Sequence, residues 1–440
     1  MGVWAPENRT FFPFQIETLE NLIKRKHTLL AHEQGLGKSC IAIGLINYFN
    51  LHQVLIICKA SIKSNWQNKL NEWLKSRREI QILWKKTDEI SPLAEIVIVN
   101  YDLISHSYTH LQLVSINWQL VICDECHIIK NMKAKRTHAV LSKKGIIHHT
   151  ERSLMMTGTP ILNRPSELYP ILKVLSPETI EPYTNYFSYA KRFCDAWQDG
   201  FTFNDRGASH TDDLNQRLRK GFMIRRTWAE VEKELPARRY EMVLIDKTPG
   251  AEKSLKILEN VERTDFKKKA FGIGGGELAT LRREVAEEKI TVCLEKIKEY
   301  VESADKTVIF AYHHSVIDRL ERELKEYGIL TLTGNTPAKK RQEQIDIFRC
   351  DGGRKVFIGQ IEAAGEGIDG IQQVCHNILF VEWDWSPGKI AQAIARVWRL
   401  GQQHPVLIRF LVWENSIETH MLRTVLDKVK IIKEVLTADE

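Results

Sequence analysis

No stretch of this sequence approaches the roughly 20 consecutive apolar residues that span a bilayer. The opening MGVWAPENRT lacks a basic segment followed by an apolar one. Neither a spanning helix nor an export signal is expected, and the expected setting is cytosolic or nuclear. Cysteine is sparse: eight in 440 residues, without the paired spacing of a disulfide framework or a structural zinc site. One spacing, Cys123-Asp-Glu-Cys126-His127, reads literally as C-x-x-C-H, the pattern for covalent haem attachment. That chemistry needs an exported chain and an exposed loop. Here the five residues follow the apolar run Leu120–Ile122, so reduced, buried thiols are expected. Short-period repeats and low-complexity tracts are also missing. Charge of one sign is not extreme, with 63 Lys and Arg against 56 Asp and Glu, a net +7. This excess permits a polyanionic partner without demanding one.

What is present suits a soluble chain of two to three domains, with 43% hydrophobic and 27% charged residues. The organising stretch is Thr28–Phe49, TLLAHEQGLGKSCIAIGLINYF. A short apolar strand breaks into a glycine-bearing loop and then a helix with Ile41, Leu45 and Ile46 on one face. Gly35 and Gly37 let backbone N–H groups approach an anion, and the helix from Lys38 adds the positive end of its dipole. Lys38 is placed to reach β- and γ-phosphates, and the Ser39 hydroxyl to ligate Mg²⁺. One residue departs from the phosphate-loop pattern: His32 stands where glycine is expected.

Strand and helix then alternate. Val54–Cys58, Glu95–Asn100, Leu120–Cys123 and Ser153–Met156 read as buried strands, and Trp66, Leu70, Trp73 and Leu74 share one helical face. Such alternation implies a parallel sheet covered on both sides. From about Tyr183 to Arg239 the chain is more polar and mostly helical in pattern, with a basic run Gln216–Arg226. The glycine cluster Gly272–Gly276 reads as a flexible turn. The domain boundary is expected in this middle region. From Lys306 alternation resumes, with strands at Thr307–Ala311, Ile329–Leu332, Lys355–Gly359, His376–Val381 and Val406–Val412. Ile417, Met421, Val425, Val429, Ile432 and Leu436 then recur at helical spacing, as in a closing helix. The expected fold class is α/β: two parallel-sheet lobes, at 1–235 and 291–413. Residues 236–290 hold the connection and the start of the second lobe, and a C-terminal brace helix fills 414–440.

The strand LVIC ends in Asp124-Glu125, a carboxylate pair at the end where parallel sheets bind ligands. Asp124 is placed to hold Mg²⁺ and Glu125 to orient and deprotonate a water. A further strand leads into MMTGTP, whose Thr157 and Thr159 hydroxyls suit the γ-phosphate side. Late in the chain, Gln392-Ala-Ile-Ala-Arg396-Val-Trp-Arg399 reads as helix, with two arginines projecting from one face. Arginines from a second domain can neutralise charge on a transferring phosphoryl group.

These residues together resemble the Swi/Snf-related, helicase-like ATPases of helicase superfamily two, over nearly the whole chain. FFPFQ, ending at Gln15, is similar to the adenine-reading glutamine motif, and HEQGLGKS resembles motif I. VICDECHIIKN resembles motif II, LMMTGTPILNRPSELYPIL motif III, VFIGQIEAAGEGIDG motif V and VEWDWSPGKIAQAIARVWRLGQ the run into motif VI. RKGFMIRRTWAEVEKELPARR resembles the family's lobe-to-lobe segment. The short IEAAGEGID string and compact connection resemble the annealing-helicase (HARP-type) branch and its bacterial or phage relatives.

The resemblance implies two RecA-like lobes and an ATP-driven translocase on double-stranded DNA. It implies that Gln15 reads adenine, that Gly35, Leu36, Gly37, Lys38 and Ser39 hold phosphates and Mg²⁺, and that Asp124 and Glu125 serve metal and water. Gln392, Arg396 and Arg399 complete the site from the second lobe, with Gly365 and Gly367 in motif V. Lys59, Ser61, Asn100, Tyr101 and Trp385 fall in motifs that line the DNA path. His32, Cys126 and Gln360 depart from the family's usual residues, and none removes an atom that hydrolysis needs. The implied partners are ATP, Mg²⁺ and duplex DNA, forked or branched DNA included. The motor is expected to be monomeric, with an unidentified protein recruiting it. A strand-separating helicase of the same superfamily and an ATP-gated DNA scaffold with little hydrolysis are the alternative readings.

Overall fold

The computed structural model describes residues 4–161, 164–200, 202–231, 236–245, 275–364, 370–384, 386–399, 401–413 and 418. The chain divides into two compact units, the division falling after residue 233. In the first unit the apolar, β-branched runs form strands: β1 His27–Leu30, β2 Val54–Cys58, β3 Ile80–Ile82, β4 Ile96–Asn100, β5 Trp118–Asp124 and β6 Thr150–Met156. Beyond them lie β7 Trp197–Asp199, β8 Thr202–Asn204 and β9 Met223–Ile224. Seven strands pair in the order β3-β4-β2-β5-β6-β1-β9, and their pairings are parallel. Ile56 faces Ile98 on one side and Ile122 on the other.

Alternate residues of each strand feed two apolar layers. Leu55, Ile57, Val97, Val99, Val121 and Cys123 enter one. Leu30, Ile56, Ile98, Ile122 and Met156 enter the other, with Ile41, Trp66 and Leu70 from the covering helices. Burial on both faces is why these strands read as continuous apolar runs rather than as alternation. The helix Lys38–Phe49 is itself buried on more than one side, because it packs against the helix Pro13–Leu22. A Cβ at Gly44 would stand 3.0 Å from Phe11 Cζ, so glycine there permits the close approach.

In the second unit the strands are β10 Arg238–Ile245, β11 Thr307–Ala311, β12 Ile329–Leu332, β13 Val356–Gln360, β14 Asn377–Phe380 and β15 Val406–Trp413. They pair in parallel in the order β10-β15-β14-β11-β13-β12. A long helix, Gly275–Glu302, and the helix His314–Glu323 cover it, the latter burying Val316, Ile317 and Leu320. Lys289 is fully buried and tolerated there because its ammonium donates to Leu411 O at 3.0 Å and pairs with the Glu418 carboxylate.

The middle region departs from its polar, helical reading. Helices Tyr186–Phe193 and Thr211–Gly221 are present, but β7 and β8 form an antiparallel hairpin between them. Three-residue strands carry too little alternation to be read from sequence. β10 was also hidden, because its basic start, Arg238-Arg239, masks an edge strand that pairs with β15 along its length. Gly275 and Gly276 open the long helix instead of lying in a turn. Apart from Glu418, the expected brace helix at 414–440 lies outside the described residues, as do Gly365, Gly367 and Trp385.

Candidate active site

Because the first sheet is parallel, the carboxyl ends of β1, β6, β5, β2 and β4 lie along one edge. Ligands bind α/β sheets there. The loop after β1 reaches the helix Lys38–Phe49 through Gly35 at φ 85° and Gly37 at φ 76°, left-handed conformations that favour glycine. Gly37 is also the helix N-cap, so the first free N–H groups of the helix open onto the loop. A Cβ at Gly37 would stand 2.4 Å from Gln15 Nε2. Gln15 is buried, donating from Nε2 to Leu36 O at 3.2 Å and accepting the Phe12 N–H on Oε1 at 3.0 Å. The glutamine therefore braces the glycine-bearing loop directly, a role its place in the sequence did not disclose. Leu36 is fully buried and Ser39 half-buried in the first helical turn.

Lys38 folds across the loop, its ammonium donating to His32 O at 2.8 Å and Glu33 O at 3.1 Å. Burial pushes its pKa down to about 8, against the opposing pull of Glu125 and Asp124. Of those acids, Asp124 ends β5 and Glu125 follows it. Asp124 is buried; its Oδ2 accepts Trp66 Nε1–H at 2.8 Å and its Oδ1 the Glu125 N–H at 3.0 Å. Burial first, and then the charge of Glu125, raise its pKa. Glu125 moves the other way. Burial pushes it up, but the His127 hydrogen bond and the charges of His127, Lys38 and Lys59 outweigh that and hold it below the usual carboxylate range. The two environments push the pair in opposite directions, Asp124 upward and Glu125 downward.

Glu125 adopts φ 52°, left-handed without being glycine, a conformation that costs energy and recurs at functional sites. Its Oε2 accepts from Thr157 Oγ1 at 3.3 Å, and His127 Nδ1 lies 3.0 Å from that hydroxyl and 3.2 Å from the same carboxylate oxygen. The Thr159 N–H donates to Thr157 Oγ1 at 3.1 Å. The turn after β6 is thus bonded to the acid pair after β5. Cys123 and Cys126 are buried, and burial pushes the Cys123 thiol up to about 12. Paired with the buried His127, they offer no exposed attachment loop for haem.

Two groups of expected residues are placed differently from their sequence reading. Asn100 and Tyr101, expected on a DNA path, are buried. Asn100 Oδ1 accepts from Lys63 Nζ at 3.1 Å, and the Tyr101 hydroxyl donates to Asp124 O at 2.8 Å. The adjacent strand ends need those polar partners inside the unit, so neither side chain faces outward. Lys59 and Ser61 remain half-exposed. In the second unit, Gln392 lies buried in the helix Pro387–Ile394, but that helix stops before Arg396 and Arg399, which sit in successive turns. The chain breaks there to bury Trp398, whose indole N–H donates to Pro236 O at 2.9 Å under the Arg238 guanidinium. The two arginines are half-buried and do not share a helical face.

A model of the SNF2-related domain matches residues 14–300 and one of the helicase conserved C-terminal domain matches residues 288–401. The chain belongs to the SNF2-related family. This SNF2-related chain is 29% identical over 438 residues to a Caenorhabditis elegans protein, a SWI/SNF-related matrix-associated actin-dependent regulator of chromatin subfamily A-like protein 1 homolog. The match covers 96% of the chain and 61% of that protein. It is 29% identical over 428 residues to the human DNA annealing helicase and endonuclease ZRANB3, covering 93% of the chain and 39% of the relative. The chain thus spans less than two thirds of either relative. Among solved structures, a Sulfolobus solfataricus SWI2/SNF2 ATPase core in complex with dsDNA aligns over the whole of both chains, with a TM-score of 0.48 and 20% identity.

The hydroxyl of Ser39 and the carboxylate of Asp124 are hard oxygen donors of the kind Mg²⁺ prefers. Asp124 keeps lone pairs beyond its two hydrogen bonds, and a cation beside it offsets the burial that raises its pKa. The donor set fits the ion. Sequence reading missed Trp66, which it placed only in a helix face. Buried under β5, its indole fixes which way the Asp124 carboxylate turns. Trp66→Phe keeps the apolar bulk and removes the donor. Loss of such an outer partner weakens metal affinity by about 10–100-fold. A Mg²⁺ titration of ATP hydrolysis is expected to shift to higher concentration by that factor, with the plateau rate far less changed.

Proposed function

We propose that this chain is an ATP-hydrolysing motor core that moves on double-stranded DNA and remodels protein–DNA or branched DNA structures. The observation that carries the reading is the convergence of Lys38, Asp124, Glu125 and Thr157 at one sheet edge, electrostatically coupled and with their protonation tendencies separated. In this reading the loop N–H groups of Gly35, Leu36, Gly37, Lys38 and Ser39 receive the phosphates, and Lys38 exchanges its two carbonyl partners for phosphate oxygens. Gln15 keeps one amide hydrogen beyond its bond to Leu36 O, and we assign that hydrogen to the adenine edge. Ser39 and Asp124 hold Mg²⁺, which supplies charge neutralisation to the phosphates when bound.

Glu125, ionised at neutral pH, takes the proton of the attacking water, and Thr157 and His127 keep its carboxylate turned toward the reaction. We assign Gln392, Arg396 and Arg399 to nucleotide phosphates, the arginines stabilising charge on the transferring phosphoryl group. Lys59 and Ser61 are assigned to the DNA backbone. Phosphate contacts of this kind give little sequence preference and steep salt dependence. Support comes from the family membership, and from the relative described as an annealing helicase acting on DNA. The test is whether duplex DNA raises the steady-state rate of ATP hydrolysis.

A further inference from the structure

His32, the residue that breaks the phosphate-loop pattern, is fully buried with both ring nitrogens engaged. The backbone N–H of Arg226 points at Nδ1, 3.0 Å away. A backbone amide only donates, so Nδ1 is the unprotonated nitrogen and Nε2 carries the hydrogen. Nε2 lies 2.9 Å from Thr18 Oγ1, whose own hydrogen goes to Phe14 O at 2.7 Å. One neutral imidazole thereby joins the phosphate loop to the helix Pro13–Leu22 on one side and to the stretch after β9 on the other. Burial, then the charges of Lys38, Arg226 and Arg225, hold the ring well below its ordinary pKa, in keeping with this assignment.

Residues 224–228, the end of β9 and the stretch after it, reach every residue of the loop from Ala31 to Gln34. The Ala31 N–H donates to Ile224 O at 2.8 Å, and the Glu33 N–H to Arg226 O at 3.0 Å. Arg225 Nη1 donates to Ala31 O at 2.8 Å, and the guanidinium lies 3.5 Å from the Glu33 carboxylate. The Trp228 N–H donates to Glu33 Oε2 at 2.8 Å and its indole N–H to Gln34 O at 2.9 Å. His32 and Glu33, gripped in this way, are the residues whose carbonyls hold Lys38. Any shift of residues 224–228 therefore moves the seat of the lysine.

We propose that residues 224–228 are a latch that sets the phosphate-loop geometry, with His32 and Trp228 as positioning residues for the nucleotide. The proposal rests on the ATP reading above. It makes the last described stretch of the first unit before residue 232 a control point on nucleotide affinity.

Two substitutions at one position separate the latch from simple packing. In His32→Asn the side-chain oxygen takes the place of Nδ1 and still accepts from Arg226, while contact with Thr18 is lost. In His32→Gln the terminal amide still reaches Thr18, but the Arg226 N–H is left buried without an acceptor. Binding of a fluorescent ATP analogue to the full chain, with kcat, KM and thermal midpoint measured alongside, reads the difference. His32→Gln is expected to weaken binding about tenfold and raise KM in step. His32→Asn stays within about twofold, because the Thr18 hydroxyl it gives up still donates to Phe14 O and the Arg226 N–H keeps its acceptor. Trp228→Phe keeps the ring bulk, loses the bond to Gln34 O, and is expected to raise KM by about fivefold with the midpoint held within about 3 °C. Equal effects of Asn and Gln at position 32, or an unchanged KM in Trp228→Phe, would overturn the latch while leaving the ATP reading standing. Wild-type protein that binds no nucleotide would overturn both. If His32→Gln does not fold, Trp228→Phe alone decides.

Discussion

Lys38→Ala lowers ATP turnover by about 10³-fold or more, while duplex DNA binding persists. Removing a single preorganised donor to developing charge costs about 10²–10³ in rate, and Lys38 also supplies a full positive charge to the phosphates. The Lys38 ammonium bonds only to loop carbonyls among its described partners, so its removal leaves the sheet core intact. The low pKa of this lysine adds a second signature. Phosphate charges favour the protonated ammonium, so nucleotide binding takes up a proton once the free lysine begins to lose its own. Wild-type affinity for ATP is therefore expected to weaken as pH rises above about 8, and Lys38→Ala is expected to lack that trend. Rates and affinities across pH 7 to about 10 check both points. Retained turnover in the alanine variant would break the assignment of the loop.

Glu125→Gln separates binding from chemistry. The amide keeps the size of the carboxylate and can still meet Thr157 and His127, but it cannot take a proton from water. General-base catalysis contributes about 10²–10⁴-fold, and kcat is expected to fall by that range while ATP affinity stays near wild type. The choice of Glu125 over Asp124 follows from their surroundings. Glu125 Oε2 is met by Thr157 and His127 at the turn after β6, whereas Asp124 is held by Trp66 and the Glu125 N–H and is assigned to Mg²⁺. Single-turnover measurement with bound ATP distinguishes the outcomes, since a variant that fails only in chemistry accumulates unhydrolysed nucleotide.

The parts of this site that sequence disclosed are local ones. GLGKS sets consecutive N–H groups at the start of one helix, and Asp124-Glu125 stands at the end of one strand, so spacing along the chain carried the geometry. Alternating strands and helices likewise revealed two parallel sheets. What stayed hidden depends on residues far apart in sequence. Trp66 meets Asp124 across 58 positions, and Arg226 meets His32 across 194. Neither pairing leaves a periodic trace. The burial of Asn100 and Tyr101 was hidden for a related reason: a polar residue at a strand end looks the same whether it faces a ligand or satisfies a buried neighbour. The arginine pair was misread because burial of Trp398 ended the helix early, a tertiary demand that overrode local propensity.

The central claim is that hydrolysis at the Lys38 loop is driven by DNA. Steady-state ATPase rates measured without DNA and with single-stranded, duplex and forked DNA, at low and then at raised salt, test it most directly. Clear stimulation by duplex and forked DNA is expected at low salt, with a weaker response to single strands and steep loss of apparent DNA affinity as salt rises. Rates that are the same with and without duplex DNA at low salt would contradict it.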